Sequence, residues 1–324
     1  MRLSLLRSLC VLFGLPLAGC CAQPEELVPK TWTAAGLGGA SDLSADATHI
    51  YFADGGFKGG EAVFRLSKEG GLPEVIALEE KAVDSLVIDD AHAYWVGSGP
   101  AAIRSAPKTG GVLPRVVSVD PVAYEQGLAV DGEHVYARRW KGPVVRIPKG
   151  GGEARVVADP GGSVAAVDES FVYFFTEQAI VKAPKGGQGA AITLASGQRP
   201  SELVIDASHV YWINPATATE ALDGAVLRVS KAGGPVTVVA DKQALPACLR
   251  VTADRVWFCN RLVSSATTPR INRDPRIASV PKGGGEIAAD TMETTLRDIL
   301  IDGTWVYYAS HAKGGEDVIQ RRPL

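Results

Sequence analysis

The sequence predicts an all-β protein, a seven-bladed β-propeller with four strands in each blade. Three observations predict it: a phrase of the form Asp-x-x-x-Val-Tyr that occurs seven times, a Lys-x-Gly-Gly-like phrase that follows it, and a mature region without a long helical spacing of apolar residues. The chain has 324 residues, of which 36 are glycine, and this content suits many strands joined by tight turns.

The first phrase marks one hairpin in each repeat, with an apolar strand on either side of a short turn. Successive copies begin 37 to 50 residues apart, a spacing typical of propeller blades. The Asp suits the turn because its carboxylate accepts hydrogen bonds from backbone N–H groups there. The copies, some of them imperfect, are residues 46–51, 89–94, 131–136, 168–173, 206–211, 252–257 and 302–307.

The second phrase marks a second hairpin, as in "VFRLSKEGGLPEVIAL", whose glycines supply the positive φ angles that such turns need. Two hairpins make the four strands of one blade. We expect the repeated lysines to be exposed at the hairpin tips, where they need no partner; a surface for an anionic partner is the alternative. They are Lys68, Lys108, Lys149, Lys185, Lys231 and Lys282.

The seventh copy predicts how the ring closes. Its third strand, "VIQRRPL", is followed by no fourth strand, whereas "PKTWTAAG" near the start of the chain reads like the second phrase with a shortened turn. We therefore expect residues 31–35 to complete the blade begun by residues 306–322, which removes an exposed sheet edge. The predicted organisation is a signal segment at 1–19, a lipidated tether at 20–29 and the propeller at 30–324.

The first residues, "MRLSLLRSLCVLFGLPLAGCC", have a basic start, a short apolar stretch and an end of small residues. The segment "LAGC" resembles the signal of bacterial lipoproteins, which implies acylation of Cys20, with palmitate among the chains, and attachment to a membrane. An ordinary secretory signal that ends in Cys is the alternative. Because Cys21 rather than Asp follows Cys20, the resemblance implies the outer membrane of a Gram-negative cell envelope.

Repeats of "AVD…HVYW" followed by "PKGGG" resemble those of bacterial extracytoplasmic propeller lipoproteins. They are also similar to YWTD and NHL propeller repeats, although Thr-Asp does not follow the aromatic pair here. The resemblance covers nearly all of residues 30–324 and implies the fold. It implies no single activity, because such propellers serve in binding, scaffolding and catalysis.

Two cysteines of the mature region predict a disulfide. Cys248 and Cys259 flank the first hairpin of the sixth repeat symmetrically, so the pleat places them across from each other on adjacent strands. An exported protein sits in an oxidising compartment, which favours the bond. The alternative is a pair of free thiols.

Function is expected on the face formed by the loops that join the second strand of a blade to the third and one blade to the next. These loops differ in length between repeats, and variable loops on a rigid scaffold commonly carry function. Residues that end the second strand or precede the first are expected to line a central mouth and to bind a ligand there. They are Asp42, Asp54, Arg139, Glu202, Asn214, Asn260, Arg261, Asp298 and Ser310.

The sequence favours a monomeric, membrane-anchored binding or scaffold protein without catalysis or a cofactor, whose partner is a protein or a polar ligand. No motif for nucleotide binding, serine hydrolysis or zinc proteolysis is present, and a net charge of −3 argues against a nucleic-acid surface. The long loop at 260–275 carries Arg270 and Arg273, which suit carboxylate or phosphate groups on a partner. The alternative is an enzyme of the lyase or lactonase type that holds Ca²⁺ or another divalent metal with the four carboxylates at the mouth.

Overall fold

The computed structural model describes residues 31–32, 39–54, 61–79, 83–97, 102–119, 123–218, 221–261, 275–292, 294–311 and 317–324. Their strands form seven four-stranded antiparallel sheets. The first strands of the seven sheets contact one another in chain order, and the last contacts the first, so the sheets are the blades of a closed ring. The predicted seven-bladed propeller is confirmed. The predicted signal segment and tether, including Cys20, lie outside the described residues.

In blades 1 to 6 the strands follow one another outwards from the centre in chain order. Blade 1 has β2 (Ala40–Ala45), β3 (His49–Asp54), β4 (Glu61–Ser67) and β5 (Glu74–Glu79). Blade 2 has β6 (Val83–Ile88), β7 (His92–Gly97), β8 (Ala102–Pro107) and β9 (Arg115–Val119). Blade 3 has β10 (Tyr124–Val130), β11 (His134–Arg139), β12 (Val144–Pro148) and β13 (Arg155–Ala158).

The other blades repeat this plan. Blade 4 has β14 (Ser163–Val167), β15 (Phe171–Phe175), β16 (Ala179–Pro184) and β17 (Ile192–Ser196). Blade 5 has β18 (Glu202–Ile205), β19 (His209–Asn214), β20 (Gly224–Ser230) and β21 (Thr237–Gln243). Blade 6 has β22 (Pro246–Val251), β23 (Arg255–Asn260), β24 (Arg276–Pro281) and β25 (Ala288–Thr291). Blade 7 has β26 (Thr295–Asp302), β27 (Trp305–His311), β28 (Asp317–Pro323) and β1 (Thr31–Trp32).

The ring closes through its N-terminal strand. β1 pairs antiparallel with β28, with Thr31 opposite Gln320 and Trp32 opposite Ile319. Blade 7 is therefore assembled from both ends of the propeller segment, as the sequence predicted. The pairing is confirmed for these two residues, and positions 33–35 of the predicted strand lie outside the described residues.

The core consists of seven apolar clusters, one between each pair of adjacent blades. Successive side chains of a strand point to opposite faces of the sheet, so each strand serves two clusters. In β19, Tyr211 packs between blades 5 and 6, whereas Trp212 packs between blades 4 and 5. This is why the second strands read as continuous apolar runs. Each fully buried large side chain contributes about 1.5–3 kcal/mol.

The innermost strands of six blades are interrupted by β-bulges. Asp42, Ser85 and Cys248 adopt left-handed backbone conformations in these bulges, with φ of 55°, 56° and 58°. Gly127 has φ of 103°, and a Cβ there would lie 2.3 Å from the carbonyl oxygen of Val164 in blade 4. A bulge leaves an N–H group without a partner in its own sheet. At three bulges such a group bonds to the preceding blade: the N–H groups of Leu43, Gly127 and Cys248 donate to Asp298, Ser85 and Glu202.

Within the described ranges, no helix has the length and apolar character needed to cross a membrane.

Candidate functional site

On the face that carries the short hairpin turns, the Asp of the first phrase closes its own turn. In blade 2, Asp89 Oδ1 accepts hydrogen bonds from the backbone N–H groups of Ala91 (2.8 Å) and His92 (2.7 Å), and Oδ2 accepts one from the Tyr94 hydroxyl (3.0 Å). This arrangement explains the spacing of Asp and Tyr in the phrase. The same bonds are made by Asp46, Asp131, Asp168 and Asp206.

The repeated lysines bind the aspartates of the preceding blade. Lys149 Nζ of blade 3 lies 2.7 Å from Asp89 Oδ2 of blade 2. We call the six equivalent pairs the clasps. They are Lys68–Asp302, Lys108–Asp46, Lys149–Asp89, Lys185–Asp131, Lys231–Asp168 and Lys282–Asp206. The expectation of exposed lysines without partners is wrong: Lys68 and Lys108 are less than a tenth exposed, at 9% and 8%.

The hydrogen bonds at these turns shift the pKa values of five turn aspartates and of the tyrosines bonded to them. Burial by itself raises the pKa of Asp89, but hydrogen bonds from Lys149, the turn N–H groups and Tyr94 outweigh it and lower the pKa from 3.8 to about 2. The pKa values of the other four turn aspartates are also lowered. Burial and the bond to Asp206 raise the pKa of Tyr211 to about 12. At neutral pH these five aspartates are charged and Tyr211 is neutral, which keeps the hydrogen bonds and ion pairs of these turns intact.

The boundary between blades 6 and 7 is built differently. Thr252 stands at the position of the turn aspartate in blade 6, and its hydroxyl accepts a bond from the Arg255 N–H at 3.2 Å. Leu324 stands at the position of the lysine in blade 7 and donates its N–H to Thr304 O at 2.8 Å. An ion pair between Arg322 and Asp290, at 2.8 Å, joins the two blades instead.

On the opposite face, where the variable loops lie, a central cavity of about 640 Å³ is lined by the innermost strands of all seven blades. Four of the nine predicted ligand-binding residues line it: Asp42, Glu202, Arg261 and Asp298. Two further charged residues at the wall, Arg250 and Arg297, were not predicted. Arg250 lies in the otherwise apolar strand β22, and Arg297 lies beside Asp298 in β26; charge within an innermost strand was the signal that could have identified them.

The carboxylates of the cavity connect adjacent blades. Asp298 accepts hydrogen bonds from the N–H groups of Leu43 (2.8 Å) and Ile299 (2.8 Å), and Arg250 Nη2 contacts both of its oxygens at 2.8 and 2.9 Å. Blades 6, 7 and 1 thus meet at one carboxylate. Donors within the wall already occupy both oxygens of Asp298.

Glu202 of blade 5 plays the same part towards blade 6. Its two oxygens accept hydrogen bonds from the N–H groups of Cys248 (3.0 Å) and Leu249 (2.8 Å), which lie in the bulge of β22. In the part of the chain that the structure describes, no group of three or more His, Cys, Asp or Glu side chains is arranged to hold a metal ion.

The remaining five predicted site residues do not line the cavity. Asp54, Arg139, Asn214, Asn260 and Ser310 each lie at or next to the end of a second strand, one strand further out than the wall. The expectation that all nine converge on one cavity is therefore wrong for these five.

Several of these five side chains instead form hydrogen bonds to other residues of the propeller. Asp54 accepts a hydrogen bond from Gly39 N–H at 3.0 Å, and the side-chain amide of Asn260 lies 3.2 Å from Gln243 Oε1. Asn214 donates to Gln198 at 3.1 Å. Ser310 is fully buried.

Cys248 and Cys259 form a disulfide, as predicted. Their strands are not in the simple register that the sequence suggested, since Cys259 lies opposite Ala247 and Cys248 lies in the bulge. Cys248 also lines the cavity, so the disulfide supports the cavity wall.

An exposed tryptophan projects from the loop face at the tip of blade 3. Trp140 follows β11 and is 57% exposed. Its loop is held by hydrogen bonds from Trp140 N–H to Ala123 O (3.0 Å) and from Lys141 N–H to Glu125 Oε1 (2.8 Å). Arg138 also forms an ion pair with Glu125 at 2.6 Å. Sequence reasoning missed this residue, although "RRWKG" places a large aromatic side chain in a short loop.

No protein-family model matches the chain, and no curated protein sequence matches it. Solved structures do. Virginiamycin B lyase from Staphylococcus aureus is similar over 89% of this chain and 98% of its own, with a TM-score of 0.66 and 12% identity. YCF48 bound to D1 peptide is similar over 90% and 94%, with a TM-score of 0.62 and 12% identity. BamB from Moraxella catarrhalis is similar over 88% and 85%, with a TM-score of 0.53 and 13% identity.

At this level of identity the likeness shows the propeller fold alone. The fold is shared by a lyase and by a protein that is bound to a peptide, so it does not choose between catalysis and binding. The residues of the candidate site have to distinguish catalysis from binding.

Proposed function

We propose that the protein is a membrane-anchored, non-catalytic propeller that binds a partner protein through its loop face. The observation that carries the proposal is the exposure of Trp140 on a rigid loop of that face. Tryptophan is enriched among the residues that dominate binding energy at protein interfaces, because it buries a large area with little loss of side-chain freedom.

The loop around Trp140 supports this role because it is ordered before binding. Bonds to Ala123 and Glu125 fix its backbone, and Lys141 Nζ lies 5.7 Å from the centre of the Trp140 ring. A partner would therefore meet a preorganised surface, and the entropy lost on binding would be small. Lys141 next to the ring adds positive charge, which suits an acidic group on the partner beside an apolar contact.

The similar structures are in keeping with a binding role. YCF48, a protein of the same fold, is bound to D1 peptide in its structure. At the cavity of this chain, Glu202 and Asp298 connect blades through hydrogen bonds, and Asp54 lies outside it. The proposal accordingly assigns no catalytic residue and no cofactor. The long loop at 260–275, with Arg270 and Arg273, is proposed as a second contact; residues 262–274 lie outside the described residues.

The anchor is proposed from the sequence. Acylation of Cys20 would hold the propeller next to a membrane by a short tether, and Cys21 at the following position favours the outer membrane. Metabolic labelling with palmitate tests it: the wild-type protein should be labelled, whereas the variant Cys20→Ser should not. Label on that variant would contradict the anchor without affecting the proposal for the loop face.

Site-specific cross-linking tests the binding role. A photo-reactive residue at position 140 should cross-link to one partner in intact cells, whereas the same residue at position 113 should not. Leu113 is the matched control because it is 91% exposed but lies on the opposite face. The amount of that partner captured from detergent-solubilised envelope is then compared between two variants. The variant Trp140→Ala should no longer capture the partner, whereas Leu113→Ala should capture it as the wild-type protein does. Equal capture by the two variants would contradict the proposal.

A further inference from the structure

The central cavity has the size and the lining of a small-molecule site. Its volume of about 640 Å³ lies within the range of pockets that enclose ligands. It opens on the loop face, because its wall is made largely by the first halves of the innermost strands. What it binds depends on the hydrogen-bonding groups that the wall leaves unused.

The two best-defined carboxylates of the wall are already occupied. Both oxygens of Asp298 accept from Arg250 and from backbone N–H groups, and each oxygen of Glu202 accepts from one backbone N–H. These groups hold the blades together. A cation would have to compete with those donors.

Arg261 offers unused donors at the rim. It follows the last residue of β23, and its side chain is exposed. Among the described residues, its guanidinium donates one hydrogen bond, a long one of 3.4 Å to Arg297 O. A guanidinium has five N–H donors in a planar fork that matches a carboxylate.

Serine hydroxyls offer further unused groups from three other blades. Ser41, Ser163 and Ser201 line the cavity, and none of their hydroxyls makes a hydrogen bond within the described part of the chain. Ser85 differs, because its hydroxyl accepts from the Gly127 N–H at 2.6 Å. A hydroxyl both donates and accepts, as the hydroxyls of a sugar do.

We propose that this cavity binds a small sugar acid, with its carboxylate on Arg261 and its hydroxyls on Ser41, Ser163 and Ser201. The groups that the proposal uses are one guanidinium, which only donates, and three hydroxyls, which both donate and accept, so they suit a ligand that combines a carboxylate with hydroxyls. Arg250 and Arg297 of the wall are paired with Asp298 and Asp317, so Arg261 is the guanidinium left for a ligand, and it suits one carboxylate. This site is separate from the protein-binding surface at Trp140 and does not depend on it.

Calorimetric titration with D-galacturonate and digalacturonate tests the proposal, with D-galactose and triglutamate as comparison ligands. We expect a sugar acid to bind at least tenfold more tightly than galactose. Arg261→Gln should weaken its binding about tenfold, the loss of roughly one charged hydrogen bond. Ser163→Ala should also weaken binding of the sugar acid. Arg199→Gln is the matched control, since Arg199 is exposed on the same face but does not line the cavity.

Three outcomes would overturn the proposal: no binding of either sugar acid at millimolar concentration, binding that Arg261→Gln leaves unchanged, or preferential binding of triglutamate. Trp140→Ala should leave sugar-acid binding unchanged, so failure here and failure of partner capture are distinguishable. Circular dichroism of Arg261→Gln and Ser163→Ala checks that lost binding does not reflect lost folding.

Discussion

Lys149 Nζ lies 2.7 Å from Asp89 Oδ2 across the boundary between blades 2 and 3. Both side chains are about four-fifths buried, with exposures of 18% and 19%. The pair is thus less screened than a surface ion pair, yet it is not cut off from water. Equivalent ion pairs join five other blade boundaries, so the contribution of this pair to stability is repeated around the ring.

Breaking this clasp should lower the free energy of unfolding. Lys149→Met removes the ammonium donor and keeps the aliphatic chain, and we expect a loss of about 1–2 kcal/mol in urea denaturation. Lys242→Met is the control, because Lys242 is exposed and its side chain makes no hydrogen bond within the described residues. A double-mutant cycle with Asp89→Asn should show a coupling energy above zero; additive effects would show that the pair contributes nothing.

Stability should depend on pH in the acid range. The pKa of Asp89 is lowered from 3.8 to about 2, and the pKa values of the other turn aspartates are also lowered. A carboxylate with a lowered folded-state pKa stabilises the fold fully above its unfolded-state pKa, and this contribution is lost as pH falls. Unfolding free energy should therefore be level above about pH 5 and decline from about pH 4 towards pH 2. Denaturation series at stepped pH measure it, and a decline centred near pH 6 would point to histidines instead.

Alkaline pH should also weaken the turns, because it removes the proton of a tyrosine hydroxyl that donates to a turn aspartate. The pKa of Tyr211 is raised to about 12, because burial and the bond to Asp206 disfavour the phenolate. A raised pKa stabilises the fold below the unfolded-state value of about 10, and this contribution is lost at higher pH. Tyr211→Phe should flatten the decline in unfolding free energy between about pH 10 and pH 12. Ultraviolet absorbance of the phenolate provides the titration, and an unchanged curve for the variant would contradict the assignment.

Removing the disulfide should destabilise blade 6. The bond joins residues 11 positions apart, and a loop of that length corresponds to about 2–3 kcal/mol. The double variant Cys248→Ala/Cys259→Ala should lose stability by that amount in denaturant. A thiol assay should find no free thiol at these positions in the oxidised wild-type protein. An unchanged unfolding midpoint would show that the bond constrains little.

The N-terminal strand should stabilise the whole ring, although it belongs to no repeated hairpin. A form that starts at residue 37 lacks β1 and leaves β28 with an unpaired edge, so we expect a loss of about 1–3 kcal/mol compared with a form that starts at residue 30. Differential scanning calorimetry of the two forms measures it. Equal melting temperatures would mean that the closure contributes nothing.

The repeat allowed the fold to be predicted because each copy carries its own turn chemistry. The Asp and glycine positions show where the turns lie, and the incomplete seventh copy identified Thr31 and Trp32 as its missing strand. The clasps were missed because the residues of a pair are far apart in sequence: 54 to 76 positions in five pairs, and in the sixth, Lys68–Asp302, near opposite ends of the propeller segment. A signal was nevertheless present: the copy with Thr252 in place of Asp is followed by the copy that has Leu324 in place of Lys.

The candidate site could be predicted only in part. Alternation along a strand shows which face a side chain takes, but it does not show which strand of a blade is innermost. Asp54 and Ser310 were therefore assigned to the mouth although they lie one strand away from it. The bulge at Cys248 was hidden as well, because an inserted residue changes the register without a distinctive sequence.

The direction of the clasps bears on how such a protein can arise. Each clasp lysine binds the aspartate of the preceding blade of the ring, so each repeated unit supplies one acid to the next blade and one base to the previous one. A ring grown or shortened by whole units would leave no charge unmatched along its run. Within the described residues the exception is the boundary between blades 6 and 7, where Thr252 and Leu324 stand at the positions of the acid and the base. Because the ion pairs repeat with the unit, they do not set the number of blades, which is left to the apolar packing between adjacent blades.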